Sequence, residues 1–143
     1  MRIREVVAAK PDSTVVTVSP GATVRELVAL LAEHNVGALV VSSDGATVEG
    51  IVSERDVVRR LHSEPDALSA TVDTIMTSDV HTAGPDDSLD DMMSLMTDQR
   101  IRHVPVCDAG RMVGIISIGD VVKHRIKVLE FERDQLDSYV HQT

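Results

Sequence analysis

The sequence predicts an α+β fold: two tandem strand-helix-strand-strand-helix repeats related by a pseudo-twofold axis, with a C-terminal helix after them. Three observations carry this. First, the stretch from Val16 and the stretch from Val80 share one pattern, with Pro20 matching Pro85, Thr23 matching Ser88 and Gly45 matching Gly110 at an offset of 65. After the next loop, Gly50 matches Gly114, Ser53 matches Ser117 and Asp56 matches Asp120 at an offset of 64, so one residue separates the copies there. Second, the apolar spacing inside each copy switches between extended and helical periods. Third, Val122, Leu129 and Leu136 recur every seven residues beyond the second copy.

Each copy opens on a short extended segment, Val15 to Val18 and Val80 to Thr82, closed by a proline-bearing turn. A helix follows. Thr23 with Glu26 forms a capping box, and Ser88 with Asp91 repeats it in weaker form, since a hydroxyl ahead of the first turn accepts from an amide the helix leaves unpaired. Val24, Leu27, Val28 and Leu31 mark one buried stripe, repeated as Leu89, Met92, Met93 and Met96, where methionine reads as flexible core filler. Next come an apolar strand, Ala38 to Val41 or Val104 to Cys107, and a glycine turn at Gly45 or Gly110. A second strand, Val48 to Val52 or Met112 to Ile116, completes a hairpin. The second helix of each copy starts near Ser53 or Ser117.

Ile3 to Val7 lead into copy one, as Thr71 to Met76 lead into copy two, and Ser63 to Asp66 link the copies. The expected divisions are residues 1–66 for the first repeat, 67–127 for the second and 128–143 for an amphipathic helix, whose apolar face Ile126 and Val140 border. Neither copy holds enough core to stand alone, so the two should pack together.

Composition narrows the function. With 43% apolar and 26% charged residues the chain is ordinary globular material. No apolar run reaches membrane-spanning length, and no apolar signal region follows Met1-Arg2-Ile3-Arg4-Glu5, so a cytoplasmic location is expected. A net charge of −9 argues against duplex nucleic acid, which needs a basic face. Phe131 and Tyr139, the only aromatics, offer no stacking platform for a single strand. Cys107 stands alone, which excludes an internal disulfide, and reads as a buried reduced thiol. There is no G-x-S-x-G elbow, P-loop, H-E-x-x-H or cysteine pair, and the six histidines lack ligand spacing, so neither an enzyme nor a metal protein is expected.

The two copies end in Gly-Ile-Val-Ser-Glu-Arg-Asp56 and Gly-Ile-Ile-Ser-Ile-Gly-Asp120. Together with Val-Asp-Thr-Ile-Met76 ahead of copy two and His-Val-Pro-Val106 in its middle strand, they resemble a pair of CBS domains, the Bateman module, over residues 3 to 127. The resemblance implies a cleft between repeats that takes AMP, ADP, ATP, S-adenosylmethionine, NAD or another adenosine derivative, with no cofactor required. It implies Ser53 with Asp56 and Ser117 with Asp120 as contacts: the carboxylate would accept from ribose hydroxyls, and the hydroxyl and free helix amides would face ribose or phosphate. Arg102 and His103 stand where nucleotide-binding members carry basic residues for phosphate. Arg55 is a further cation beside Asp56, and Ala38 is the copy-one counterpart of His103.

The residues alone leave alternatives. Ser followed three positions later by Asp is also a plain helix cap, Arg100, Arg102 and His103 also suit a solvated helix end, and Arg55 suits a solvated first turn. Copy one has Gly37-Ala38 where copy two has Arg102-His103, and Val40 where copy two has Pro105, so the two sites should be unequal. If phosphate recognition is local to a copy, Asp120 serves the tighter site; a pseudo-twofold that lays copy two's basic residues over copy one reverses the ranking. The expected protein is a homodimeric nucleotide sensor acting on an unidentified protein partner. The alternative is an interaction protein with decayed sites.

Overall fold

The computed structural model describes residues 1–11 and 15–141. Its elements are α1 (Ile3–Ala8), β1 (Thr17–Val18), α2 (Val24–His34), β2 (Ala38–Val41), β3 (Gly50–Ser53), α3 (Glu54–Ser63), α4 (Leu89–Gln99), β4 (His103–Asp108), β5 (Arg111–Ser117) and α5 (Ile118–His141). Two 3₁₀ turns, Ala67–Ser69 and Val72–Thr74, lie between α3 and α4. Two small sheets result: parallel β1 and antiparallel β3 flank β2, and β4 pairs antiparallel with β5.

Local chemistry explains the helix starts. Thr23 accepts from the Glu26 amide while Glu26 answers to the Thr23 amide, a complete capping box on α2. On α4, Ser88 accepts from the Asp91 amide at 3.0 Å without the return bond. Val24, Leu27 and Leu31 are buried in α2, and Leu89, Met92 and Met96 in α4. Val28, expected in the stripe, is exposed, and Met93 is only partly buried. Both lie one position off the core-facing row, at the edge of the helical stripe.

Three strand expectations change. The first strand shortens to Thr17 and Val18. Its copy-two equivalent, expected over 80–82, reduces to one parallel bridge from Ala83 to Val106, held by Ala83 N–H to the Pro105 carbonyl and Cys107 N–H to the Ala83 carbonyl, both 2.9 Å. Ala83, just past that stretch, is buried, whereas His81 and Thr82 are exposed. Cys107, expected to be buried, is half-buried on β4, where desolvation raises its thiol pKa. The third change concerns the hairpins. In copy two, Ala109 (φ 51°) and Gly110 (φ 80°) make a two-residue turn of the mirror-image kind that suits strand twist. In copy one a longer loop intervenes and β3 starts at Gly50.

The segments leading into each copy exchange places. Ile3 and Val6 of α1 are fully buried among Leu89, Met92, Met96, Val104, Val106, Ile116 and Val121, the core of copy two. Val72 is fully buried in the core of copy one, with Val18, Val24, Leu27, Leu39, Val41 and Val52. The backbone repeats the exchange bond for bond. Ile3 N–H reaches the Asp87 carbonyl (2.9 Å) and Leu89 N–H the Met1 carbonyl (3.0 Å). Val72 N–H reaches the Ala22 carbonyl (2.8 Å) and Val24 N–H the Ala70 carbonyl (2.9 Å). Bridges Arg2–Ser88 and Thr23–Thr71 are the matching pairs, and this is the pseudo-twofold in hydrogen bonds.

Candidate functional site

Where a hairpin's second strand runs straight into a helix, the junction must satisfy the helix's first amides. At the β3–α3 junction Asp56 Oδ2 accepts from Ser53 N–H (2.8 Å) and Ser53 Oγ–H (3.0 Å), and Ser53 Oγ faces the Asp56 amide at 3.3 Å. At the β5–α5 junction Asp120 Oδ2 accepts from Ser117 N–H (2.9 Å), and Ser117 Oγ accepts from the Asp120 amide (3.1 Å). Both Ser–Asp pairs are therefore helix caps. At Asp56, Oδ1 carries no hydrogen bond among the described residues, so capping leaves an acceptor over.

Strand register sets what faces each cap. Ala38 pairs with Ser53 and His103 with Ser117. Each approach to the middle strand is tied to the opposite helix start, Glu54 N–H to the Gly37 carbonyl (3.0 Å) and Ile118 N–H to the Arg102 carbonyl (2.8 Å). The exchange then brings the copies face to face. A cleft of about 560 Å³ is lined by Ala38, Ser53, Glu54, Arg55 and Asp56 of copy one with Arg100, Arg102 and His103 of copy two. Gly37, Thr77 and the apolar Ile51, Val52, Val58 and Ile101 line it as well.

The cleft thus unites six of the eight candidate residues, taken from different copies: Ala38, Ser53, Arg55, Asp56, Arg102 and His103. Ser117 and Asp120 do not line it. Arg102 and His103 of copy two meet Asp56 of copy one in this cleft, while His103 also lies within electrostatic reach of Asp120. Arg100, which read as a solvated helix end, lines the cleft too. It occupies a left-handed C-cap (φ 54°) where copy one has Asn35 (φ 52°).

Electrostatics sharpen the contrast. Three arginines outnumber Glu54 and Asp56, an excess of cations in a chain of net charge −9. Burial chiefly lowers the His103 pKa, helped by Lys10 and Arg102 and opposed by Asp120 and Glu54, which favours the neutral ring. Asp120 is lowered although burial, its largest single influence, raises it: the Ser117 amide and Lys10 together outweigh that. Lys10 Nζ stands 3.0 Å from Asp120 Oδ2 and 2.8 Å from the Ile115 carbonyl. No sequence signal marked Lys10, because it reaches across 110 positions to a partner outside its own repeat.

The CBS domain family model matches residues 3–63 and 72–127. A putative signal-transduction protein with CBS domains from Burkholderia ambifaria MC40-6 superposes with a TM-score of 0.84 at 40% identity, covering 89% of this chain and 95% of that one. CBS domain-containing protein YhcV of Bacillus subtilis is 32% identical over 112 residues, 78% of this chain and 79% of that protein. A CBS domain protein from Pyrobaculum aerophilum, solved complexed with AMP, is 29% identical with a TM-score of 0.77, covering 93% and 99%. With both repeats matched, and matched again in three dimensions, this chain belongs to the CBS domain family.

Proposed function

We propose that the chain is a regulatory module that binds a phosphorylated adenosine ligand in the cleft between its copies. The observation that carries this is the meeting of the Ser53–Asp56 cap with Arg100, Arg102 and His103 from the other copy. The spare Asp56 oxygen suits a ribose hydroxyl, and the arginines suit phosphate, where their planar forks bind two oxygens at once. A volume of about 560 Å³ falls within the range of small-molecule sites. The AMP complex of the Pyrobaculum relative supports the ligand class. Because the cations come from both copies, an occupied cleft holds the copies in one relative position, which is how binding would reach a protein partner.

The test is a melting and calorimetry series with AMP, ADP, ATP, NAD and S-adenosylmethionine. A ligand that binds only the folded state raises the melting temperature by mass action. Phosphorylated ligands should shift it more than S-adenosylmethionine, whose sulfonium meets the arginines as a like charge. No shift at millimolar concentrations removes the sensor reading and leaves a pure interaction protein.

A further inference from the structure

In copy one, the carbonyl of Ile51 accepts from the backbone amide of Thr77 (2.9 Å), and Ile51 N–H returns a bond of 3.0 Å to the Thr77 carbonyl. Ile115 is the copy-two counterpart of Ile51, and its carbonyl is met by an ammonium instead, Lys10 Nζ at 2.8 Å. The same ammonium lies 3.0 Å from Asp120 Oδ2, the counterpart of the Asp56 carboxylate. Both side chains are about three-quarters covered, with exposures of 28% and 23%. A cation therefore already sits on the copy-two carboxylate, fixed by a second bond to a carbonyl.

The surroundings agree. The counterparts of Arg55 and Arg100 are Gly119 and Asn35, so copy two's side offers no arginine in either place. A nucleotide seeking Asp120 would have to displace Lys10 and leave the Ile115 carbonyl without its donor. A neutral ribose hydroxyl offers a weaker bond to a carboxylate than an ammonium does.

We propose, resting on the nucleotide-binding reading above, that Lys10 closes the copy-two position, so that the chain holds one nucleotide and Lys10 is the residue that sets this stoichiometry. The ion pair is a substitute for ligand, supplied by the segment that follows α1.

Calorimetry with AMP and with adenosine tests it. The native protein should bind one AMP per chain; Asp56→Ala should weaken that event roughly ten- to a hundredfold and Asp120→Ala should leave it unchanged. Lys10→Met should gain a second event, with AMP or adenosine, that Asp120→Ala removes again, while Lys10→Arg should stay at one. Lys10→Gln keeps a donor for the Ile115 carbonyl and replaces Lys10→Met if the latter does not fold. Two AMP per native chain, an event surviving Asp56→Ala but lost in Asp120→Ala, or a folded Lys10→Met or Lys10→Gln that stays at one would each overturn the proposal. Absence of any binding to the native protein overturns the nucleotide reading itself, and is told apart by that first titration.

Discussion

Arg100 and Asn35 end corresponding helices in the same left-handed conformation, yet only Asn holds it without appreciable cost. Replacing Arg100 with Asn should therefore stabilise the protein by up to about 1 kcal/mol in urea unfolding. It should weaken AMP or ATP binding several-fold in calorimetry, because a cleft cation is lost. A variant that binds unchanged would return Arg100 to the solvent. At Asp56 the prediction is larger: Asp56→Ala should cost on the order of 1.5–3 kcal/mol of binding, roughly ten- to a hundredfold in Kd. Acid should expose two other residues. His124 is buried, its Nδ1 has no partner among the described residues, and burial followed by Lys127 and Lys123 lowers its pKa against an opposing pull from Asp120. His103 is lowered likewise. A lowered folded pKa means that the unfolded chain binds more protons, so stability is full above the ordinary histidine value near 6.5 and falls as pH drops through the folded values. The melting temperature should decline below about pH 6.5, and His124→Leu should flatten that decline. At this scale the two Ser–Asp pairs and Arg102–His103 were legible, since each is a local motif. Which aspartate faces the arginines was not, because that depends on how the copies meet.

The helices were largely legible, since capping residues and apolar stripes are written within one turn of each other. The edges of the sheets were not: Ala83 bridges Val106 through a single buried residue, too short for any period to announce. Nor did any local signal show that α1, which precedes copy one, completes the core of copy two. That exchange makes a sharp prediction. Ile3 is fully buried against the copy-two core, so Ile3→Ala should cost about 2–5 kcal/mol, the usual range for such truncations. Hydrogen exchange should then rise in α4, β4 and β5 ahead of β2 and β3. Earlier loss of β2 and β3 would mean that the sequence-adjacent copy is the one α1 supports.

α5 runs unbroken from Ile118 to His141 and leaves Val122, Ile126, Leu129, Phe131, Leu136 and Tyr139 exposed. Along its first half Ile118, Val122 and Ile126 form a shallow apolar groove edged by Lys123 and Lys127. Charge divides the helix beyond its first turn: Lys123, Arg125 and Lys127 precede Glu130, Glu132, Asp134 and Asp137, with Asp120 in the first turn and Arg133 as the exceptions. Two such helices laid antiparallel would place basic half against acidic half and cover the apolar rows, a self-complementary twofold contact. We therefore expect a homodimer by light scattering at micromolar concentration. Removal of the residues after Lys127 should weaken it, and high salt should weaken the full-length dimer. A dimer indifferent to the truncation would place the interface on the repeats themselves. Among the described residues no helix is long and apolar enough to cross a membrane.

The exchange of α1 and the Val72 turn also means that the two halves are mutually templated. Cleave the chain between Glu64 and Pro65, and the first fragment keeps α1 but loses Val72 from its own core, while the second keeps Val72 and loses Ile3 and Val6. Each piece holds the wedge that the other lacks. Separately expressed, the fragments should be poorly folded, and mixed in equal amounts they should regain the far-ultraviolet circular dichroism and melting of the whole. A lone half has one other way to fill its gap, which is to borrow the wedge of an identical half. A single repeat of this kind could thus have assembled as a symmetric pair before any linker joined two of them, and the linker would then have made permanent an embrace that the packing had already established.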